Sequence, residues 1–288
     1  MTKILVTGAT GTIGKQVVRA LRERGLAVRA GARTPETLKD LQALGAETVR
    51  IDWDDSATLA AAFAGVERVF LLTPFVEDDL PHVEAALAAA REAGVSFILR
   101  MSAAGADADA PAALPRHHGQ GENLVKDSGI GWAVIRPNFF QDNFVTFQSG
   151  SIKAQGAFYG ASGEGKTTYV SAADVGASAA AILAEPDKHA SQTYVLTGPE
   201  AVSDGEAAGL ISAQIGREVK FVNLSADDLA ASQRGQGAPE WQVQALLFLE
   251  SAKANGWASQ VSPAVESITG RAPESLQTFL TRNQARFS

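Results

Sequence analysis

Short apolar runs alternate with amphipathic segments along the first half of the chain. The apolar runs predict strands over Ile4–Thr7, Ala27–Ala32, Glu47–Asp52, Val66–Leu72, Phe97–Met101 and Trp132–Arg136. The amphipathic segments predict helices over Thr12–Arg24, Pro35–Leu44, Ser56–Phe63, Leu80–Ala93 and Gly119–Asp127. Strict alternation of this kind indicates an α/β fold, with a doubly wound parallel sheet and helices on both faces.

The pattern is less regular in the second half. It predicts a loop or short hairpin over Ala154–Gly165, strands over Tyr169–Asp174, Gln192–Leu196 and Val219–Asn223, and helices over Asp174–Leu183, Gly205–Ile215 and Trp241–Ala254. Ser203 and Glu206 have the spacing of a capping box. We divide the chain into a nucleotide-binding domain over residues 1–150, with a returning segment near 166–198, and a smaller, mainly helical α/β substrate region over 151–288.

Three glycines follow the first predicted strand at the spacing GxxGxxG. Gly8 suits the turn out of the strand, Gly11 has no Cβ to block a diphosphate, and Gly14 allows the next helix to pack closely. The start of that helix offers backbone N–H groups to phosphate. We therefore predict a Rossmann-type dinucleotide site at Gly8, Thr10, Gly11, Thr12, Ile13 and Gly14. The alternative is a tight turn that binds nothing.

Arg33 follows the second predicted strand, where such folds meet the adenosine ribose. An acidic residue there favours NAD, whereas a basic residue pairs with the 2′-phosphate of NADP. No acid occurs from Arg29 to Thr34. Arg33 therefore predicts NADPH/NADP as the cofactor, and a solvated surface arginine is the alternative.

Residues that end the third and fourth strands are further cofactor candidates, because strand carboxyl ends line the crevice in this topology. Asp52 and Trp53 are placed at the adenine, although Asp52 equally suits helix capping. Thr73 and Pro74 are placed near the central ribose or the nicotinamide.

Composition narrows the function classes. The 288 residues are 45% hydrophobic, and the net charge of -7 argues against a nucleic-acid partner. The absence of cysteine excludes disulfides, thiolate catalysis and cysteine-ligated metals, and the four histidines lack metal-ligand spacing. No apolar run is long enough to span a bilayer, and the N-terminus lacks a signal-peptide pattern, so no membrane partner and a cytoplasmic location are expected.

Beyond these features, an ordered set of motifs resembles the atypical short-chain dehydrogenase/reductases, and within them the NmrA-like family. The set comprises Val6–Gly14, Asp52–Asp55 with Leu59, His118 with Glu122, Asp127–Ile130, Ile135–Phe140 with Asn143, Val170–Val175 and Tyr194–Pro199. The resemblance covers most of the chain. It implies either an NADPH-dependent quinone or triphenylmethane-dye reductase or a non-catalytic NADP(H)-sensing regulator.

The usual Tyr-x-x-x-Lys pair of short-chain dehydrogenases is missing, since none of the three tyrosines has a lysine four residues later. Ketone reduction needs a strong proton donor, whereas conjugated acceptors form stabilised anions. The resemblance places Ser102 at the family's serine position and His118 in the expected helix. We take both as catalytic candidates, His118 because a histidine can titrate near neutral pH. The alternative is that His118 and Glu122 form a structural i,i+4 pair on the helix surface.

The segment after the sixth strand supplies the remaining candidates. By family analogy, Asn138 and Phe139 lie near the nicotinamide. Phe75, Phe140 and Phe144 are candidates for an apolar substrate wall, and core packing is the alternative for each.

Together these features predict an NADPH-dependent oxidoreductase that transfers hydride to a quinone-like or conjugated aromatic acceptor. The regulator and a transiently NADP-using isomerase or lyase remain alternatives. Exposed helices of this fold class often form dimers, so a homodimer is considered, although the sequence identifies no interface.

Overall fold

The protein was analysed as a computed structural model, which describes residues 3–288. Its backbone divides into two compact units. The first unit comprises Met1–Pro137, Ala172–Leu196 and Ala264–Arg271, and the second comprises Asn138–Ser171, Thr197–Pro263 and Ala272–Ser288. This division differs from the one expected at residue 150, because residues 138–150 lie in the second unit and residues 264–271 return to the first.

The strands are β1 Lys3–Val6, β2 Ala27–Ala32, β3 Glu47–Arg50, β4 Arg68–Leu71, β5 Phe97–Met101, β6 Gly131–Pro137, β7 Ala157–Gly160, β8 Lys166–Thr167, β9 Gln192–Leu196, β10 Val202–Ser203 and β11 Lys220–Asn223. The helices are α1 Thr12–Glu23, α2 Lys39–Ala43, α3 Ser56–Phe63, α4 Leu80–Glu92, α5 Ala113–Lys126, α6 Ser149–Gln155, α7 Ala172–Ala184, α8 Asp204–Ile215, α9 Ala226–Gly235, α10 Glu240–Ala254, α11 Ala264–Thr269 and α12 Leu276–Arg282. Short 3₁₀ turns lie at Pro35–Leu38, Pro186–Lys188 and Gln284–Arg286, and a π turn lies at Phe144–Gln148.

A seven-stranded sheet of order β3-β2-β1-β4-β5-β6-β9 organises the first unit. All six neighbouring pairs are parallel. The order changes direction at β1 and β4, which is the switch point where open α/β sheets bind ligands. The predicted doubly wound parallel sheet is confirmed.

Buried apolar side chains pack against this sheet. On one face, Leu5, Ile98 and Phe63 belong to a buried cluster with residues of α3 and α4. Helices α1 and α5 end within one residue of their predicted ends, because glycine relieves the left-handed exit conformation, at Gly25 with φ +73° and at Gly129 with φ +77°.

The second unit has its own core and two small sheets. Strands β7 and β11 pair in parallel, and β8 and β10 pair antiparallel. Helices α8 and α12 pack around a cluster that includes Phe144, Phe158 and Tyr169. The capping box of Ser203 and Glu206 opens α8 as predicted.

Three local predictions were wrong. Ala154–Gly165 contains strand β7, which pairs with β11 rather than forming a hairpin. Tyr169–Asp174 is not a strand: Val170 forms a single bridge to Phe140, and α7 begins at Ala172. Helix α5 begins at Ala113, before the predicted start at Gly119.

No helix within residues 3–288 is both long enough and apolar enough to cross a bilayer.

Candidate functional site

The turn from β1 into α1 has the geometry that its glycines predict. Gly8 has φ +64°, in the left-handed region that favours glycine. A Cβ on Gly14 would lie 2.2 Å from the Gly8 carbonyl oxygen, so only glycine allows α1 to approach this turn. Thr10, Gly11 and Thr12 are exposed on the turn, whereas Ile13 is buried and offers only its backbone.

The N-terminus of α1 has features that favour the binding of an anion. In the described part of the chain, α1 has Gly11 as its N-cap and therefore no side-chain cap. The first turn of α1 contains no acidic residue. The N–H groups of a helix's first turn lack intrahelical acceptors, and the helix dipole adds positive potential there. The turn therefore fits a diphosphate bound through backbone N–H groups.

Arg33 is exposed immediately after β2, at the edge of the sheet where the adenosine ribose is expected. Asp52 is partly buried after β3. A hydrogen bond from Arg50 at 2.9 Å, followed by one from the Asp54 backbone at 3.4 Å, lowers the pKa of Asp52. Asp52 is therefore an ionised acceptor near neutral pH.

Trp53 packs partly against the core of the first unit. Its ring centroid lies 5.4 Å from that of His82 on α4. The helix cap that was the alternative role for Asp52 belongs to Asp55, whose carboxylate accepts from the Ala57 N–H at 3.0 Å.

A cavity of about 130 Å³ lies in the first unit, beyond the carboxyl ends of β4 and β5. We call it the first-unit cavity, and its lining includes Thr73, Pro74, Phe75, Asp79, Ser102 and His118. Phe75 is 64% exposed at its mouth. The structure therefore brings five predicted site residues together, namely Thr73, Pro74, Phe75, Ser102 and His118.

A buried arginine organises one wall of this cavity. The Arg100 guanidinium donates to Thr73 Oγ1 at 2.9 Å and to Asp79 Oδ2 at 2.8 Å. Thr73 in turn donates to Asp79 at 2.5 Å. Burial opposes ionisation of Asp79, but Arg100 and the Thr73 hydrogen bond outweigh it and lower its pKa. The Thr73 hydroxyl is thus held by protein groups.

Ser102 is also committed to a neighbour. Its hydroxyl donates to Glu122 Oε1 at 2.6 Å, and both residues are buried. Glu122 further accepts from Arg136 at 2.7 and 2.8 Å and from Lys126 at 2.9 Å. Burial raises the pKa of Glu122, but these hydrogen bonds outweigh it and lower the value. The alternative of a surface pair with His118 is wrong, because Glu122 is buried and bonds to other residues.

His118 is partly buried on α5, and its Nδ1 is fully buried with no hydrogen-bond partner in the described part of the chain. Burial, followed by the nearby Arg100 charge, lowers the pKa of His118 to about 4. The sequence-based expectation of titration near neutral pH is therefore wrong. At pH 7 the ring is neutral, with one N–H donor and one acceptor nitrogen.

A second cavity, of about 980 Å³, lies in the second unit. We call it the aromatic cavity because Phe139, Phe144, Phe147, Phe158, Tyr159 and Tyr169 line it. Asn138 precedes this set, and its side-chain amide donates to Thr168 Oγ1 at 2.6 Å and to the Ala258 carbonyl at 2.8 Å. Phe140 lines neither of the two cavities described and bridges to Val170 through its backbone.

Two buried polar clusters were missed by the sequence reasoning. Arg100 stands inside the apolar run of β5, and a lone arginine in a buried strand is a signal that an acid must face it. The second cluster joins Tyr169, Asp204, Glu250 and Lys253 in the aromatic cavity. Glu250 and Lys253 are an i,i+3 pair on α10, but no local pattern could reveal Tyr169 and Asp204 as their partners, because those two residues come from distant segments.

Comparison with known proteins gives a consistent result. The NmrA-like family model matches residues 1–269. The NAD(P)H azoreductase of Xenophilus azovorans is 34% identical over 284 residues, covering 99% of both chains. Quinone oxidoreductase 2 of Escherichia coli is 30% identical over 270 residues, covering 93% of both chains. The crystal structure of the Escherichia coli NADPH-dependent quinone oxidoreductase complexed with NADPH superimposes with a TM-score of 0.86 at 28% identity, covering 97% of this chain and 99% of that one.

Proposed function

Because the chain belongs to the NmrA-like family, we propose that it is an NADPH-dependent oxidoreductase that reduces quinone-like or other conjugated aromatic acceptors. The observation that carries the proposal is the glycine turn, whose positive φ at Gly8 and close approach at Gly14 shape a backbone cradle for a dinucleotide. The names of the azoreductase and quinone oxidoreductase relatives, and the NADPH in the similar solved structure, support the same reaction class.

The first unit supplies the groups that would hold the cofactor. The Gly11 N–H donates to the Gly8 carbonyl at 3.1 Å, so the backbone N–H groups of Thr12 and Ile13 would bind the diphosphate, which can come close because Gly11 has no Cβ. The exposed Arg33 would pair with the 2′-phosphate. Asp52 and Trp53 contact the adenosine. Thr73 and Pro74 contact the cofactor farther along the crevice, Thr73 through its backbone because its hydroxyl is engaged by Asp79.

Asn138 and Phe139 are proposed to contact the cofactor through their backbone. The Asn138 amide is already bonded to Thr168 and Ala258, and the Phe139 ring lines the aromatic cavity. Their side chains therefore make contacts within the second unit. A cofactor contact through their backbone would leave these side-chain contacts intact.

When bound, NADPH supplies the hydride, and the chain's own residues handle the charge that develops on the acceptor. His118 is neutral at pH 7, so it stabilises an oxyanion by hydrogen bonding rather than by giving up a proton as an imidazolium. The Ser102 hydroxyl donates a hydrogen bond to Glu122, so its oxygen is available as an acceptor that orients the substrate. These groups suit acceptors whose reduced anions are stabilised by conjugation and take their proton from water.

Aromatic side chains provide the contacts for such acceptors. Phe75 offers an exposed ring at the first-unit cavity, and Phe144 offers a buried ring in the aromatic cavity. Phe140 lines neither of the two cavities described, so it supports the proposed acceptor contacts less than Phe75 and Phe144 do.

The proposal is tested by incubating the protein with NADPH and a panel of neutral quinones and azo compounds, while following loss of the reduced-nicotinamide absorbance. We expect saturable oxidation of NADPH that requires both protein and acceptor, with NADH a poorer donor. Absence of turnover with every acceptor, together with equally tight binding of NADPH and NADP⁺, would instead support the regulator.

A further inference from the structure

The aromatic cavity has the size and lining of a small-molecule site. Its volume of about 980 Å³ is at the upper end of the usual range for ligand pockets. Phe144 and Phe158 are buried in its wall, and Phe147 and Tyr159 are 72% and 40% exposed. The rings meet at tilted or edge-on angles, for example with 5.7 Å between the centroids of Phe144 and Phe158. Such walls bind planar aromatic molecules.

A buried ionic cluster lies in the same cavity. Lys253 Nζ is 3.1 Å from Asp204 Oδ2 and 3.0 Å from Glu250 Oε1, and all three residues are at least nine-tenths buried. Tyr169 donates its hydroxyl to Asp204. Glu250 also accepts from the Ala161 N–H at 2.7 Å.

The lysine has little capacity left for an anionic ligand. Two of its three N–H donors are directed to Asp204 and Glu250, and Nζ lies 5.1 Å from the centroid of the Phe139 ring. An ammonium over an aromatic face is stabilised by the ring quadrupole. Its positive charge is therefore compensated by protein groups and is not available to an anionic ligand.

The charges of the lining do not balance. Among the described residues that line the aromatic cavity, Asp204, Asp228 and Glu250 are acidic and Lys253 is the one basic residue. Asp228 stands on the exposed part of the lining, in the first turn of α9. The cavity thus carries a net negative charge, which attracts cations and repels anions.

The protonation states of the cluster preserve this excess. Burial raises the pKa of Tyr169, and Asp204 adds to that effect, so the phenol stays neutral. Burial acts against the charge of Lys253, but the carboxylates of Asp204 and Glu250 outweigh it and raise its pKa, so the ammonium persists.

From the aromatic lining and this uncompensated negative charge, we infer that the cavity selects conjugated acceptors that are neutral or cationic and discriminates against acceptors with anionic substituents. The inference rests on the proposed function for its role in catalysis. As a statement about binding, it stands on the cavity alone.

The test uses three naphthoquinones with the same ring and a methylene-linked side group that is a neutral hydroxyl, a sulfonate or a quaternary ammonium. The methylene link keeps the ring chemistry alike, so charge is the variable. We expect the KM of the sulfonate to exceed that of the ammonium compound by about tenfold, the effect of a difference of two unit charges acting across partly solvated protein. Dissociation constants of the three quinones, measured by fluorescence quenching without NADPH, should follow the same order.

Two variants link this preference to the cavity. Glu250→Gln should reduce the sulfonate-to-ammonium ratio severalfold, and Asp228→Asn should reduce it by about twofold because its charge is partly screened. Asp227→Asn is the matched control, since Asp227 is a neighbouring exposed acid in α9 that does not line the cavity. Its ratio should equal that of the original protein, and thermal melts identify variants that fail to fold.

The outcomes separate the two proposals. Equal binding of the sulfonate and ammonium quinones, or a ratio unchanged in both Asp228→Asn and folded Glu250→Gln, would overturn the inference while leaving NADPH-dependent reduction intact. An ordered set of dissociation constants without NADPH turnover would support the cavity's charge preference and contradict the proposed function.

Discussion

His118 illustrates how surroundings alter the chemistry of a single residue. Its ring lines the first-unit cavity beside Arg100, and its buried Nδ1 has no partner among residues 3–288. Burial and the arginine charge both disfavour the imidazolium, which gives a pKa of about 4. A proton donor that works near pH 7 would need a higher pKa, so the sequence-based role is replaced by that of a neutral hydrogen-bonding group.

The low pKa of His118 makes the stability of the protein depend on pH. Between pH 6.5 and about 4, the unfolded chain binds a proton at this residue and the folded chain does not. The free energy of unfolding should therefore fall on acidification through this window, by about 2–3 kcal/mol from His118 alone. Denaturant unfolding of the original protein and of His118→Gln at several pH values measures the difference.

In His118→Gln the fall between pH 6.5 and 4 should be smaller by this amount. His117→Gln, a change at the preceding residue of α5, should retain the fall because His118 is still present. Identical pH profiles for the original protein and His118→Gln would contradict a depressed pKa at this residue.

Arg33 carries the choice between NADPH and NADH. Its exposed guanidinium follows β2 with no acid beside it between Arg29 and Thr34. In Arg33→Ala the dissociation constant for NADPH should rise about tenfold to a hundredfold, the value of a charge-assisted phosphate contact, while that for NADH stays nearly constant. Titration calorimetry with both cofactors checks this, and Arg24→Ala, an exposed arginine past α1, serves as the control. Parallel losses for both cofactors would disprove a 2′-phosphate role.

At the scale of elements, α1 depends on the absence of a side chain at Gly14. A Cβ there would lie 2.2 Å from the Gly8 carbonyl oxygen, so Gly14→Ala must push the helix away from the turn. We expect a loss of about 1–3 kcal/mol in the free energy of unfolding and a large loss of NADPH affinity. Denaturant unfolding and cofactor titration measure the two effects.

Gly209→Ala in α8 is the matched control for this change. A Cβ at Gly209 meets no atom within 4 Å, so the change should stabilise the protein by about 0.5–1 kcal/mol and leave NADPH affinity unaltered. If Gly14→Ala behaved like Gly209→Ala, the tight approach of α1 to the turn would not matter for stability or for NADPH affinity.

Element boundaries could be predicted where pattern and punctuation agree. Strands β2 and β5 and helix α3 have the predicted ends. Ser96 and Ser102 bound the apolar run of β5, and Asp55 caps the start of α3. Helix α5 begins at Ala113, before its predicted start at Gly119, although its first turn contains a proline. Pro115 lies in the first turn, where its missing N–H is tolerated, and a Cβ on Gly119 would lie 2.2 Å from the Ala108 nitrogen.

At the scale of the whole molecule, local patterns predicted the sheet and the glycine turn but not the contacts between distant segments. Arg100 with Asp79 and Lys253 with Asp204 pair side chains from different elements, and no periodicity in the sequence encodes such partners. The same limit applies to the proximity of a tyrosine and a lysine in the fold. The motif Tyr-x-x-x-Lys is absent from the sequence, yet the fold places Lys253 Nζ 5.9 Å from the centroid of the Tyr169 ring.

Cofactor binding should stabilise the folded chain as a whole. A ligand that binds only the folded state at a hundred times its dissociation constant adds about 2.7 kcal/mol to the free energy of unfolding. The melting temperature should therefore rise with NADPH concentration, and rise less with NADH at equal concentration. A melting temperature that changes with neither NADPH nor NADH would contradict the dinucleotide site.

Hydride transfer from NADPH to a conjugated acceptor is the defining step of the proposed function. The most direct test is a stopped-flow single turnover in which a preformed complex with NADPH, either unlabelled or deuterated at C4 of the nicotinamide, meets an excess of neutral naphthoquinone. We expect rapid loss of the reduced-nicotinamide absorbance and a slower rate with the deuterated cofactor. A bound NADPH that is oxidised no faster than in the absence of protein would contradict it.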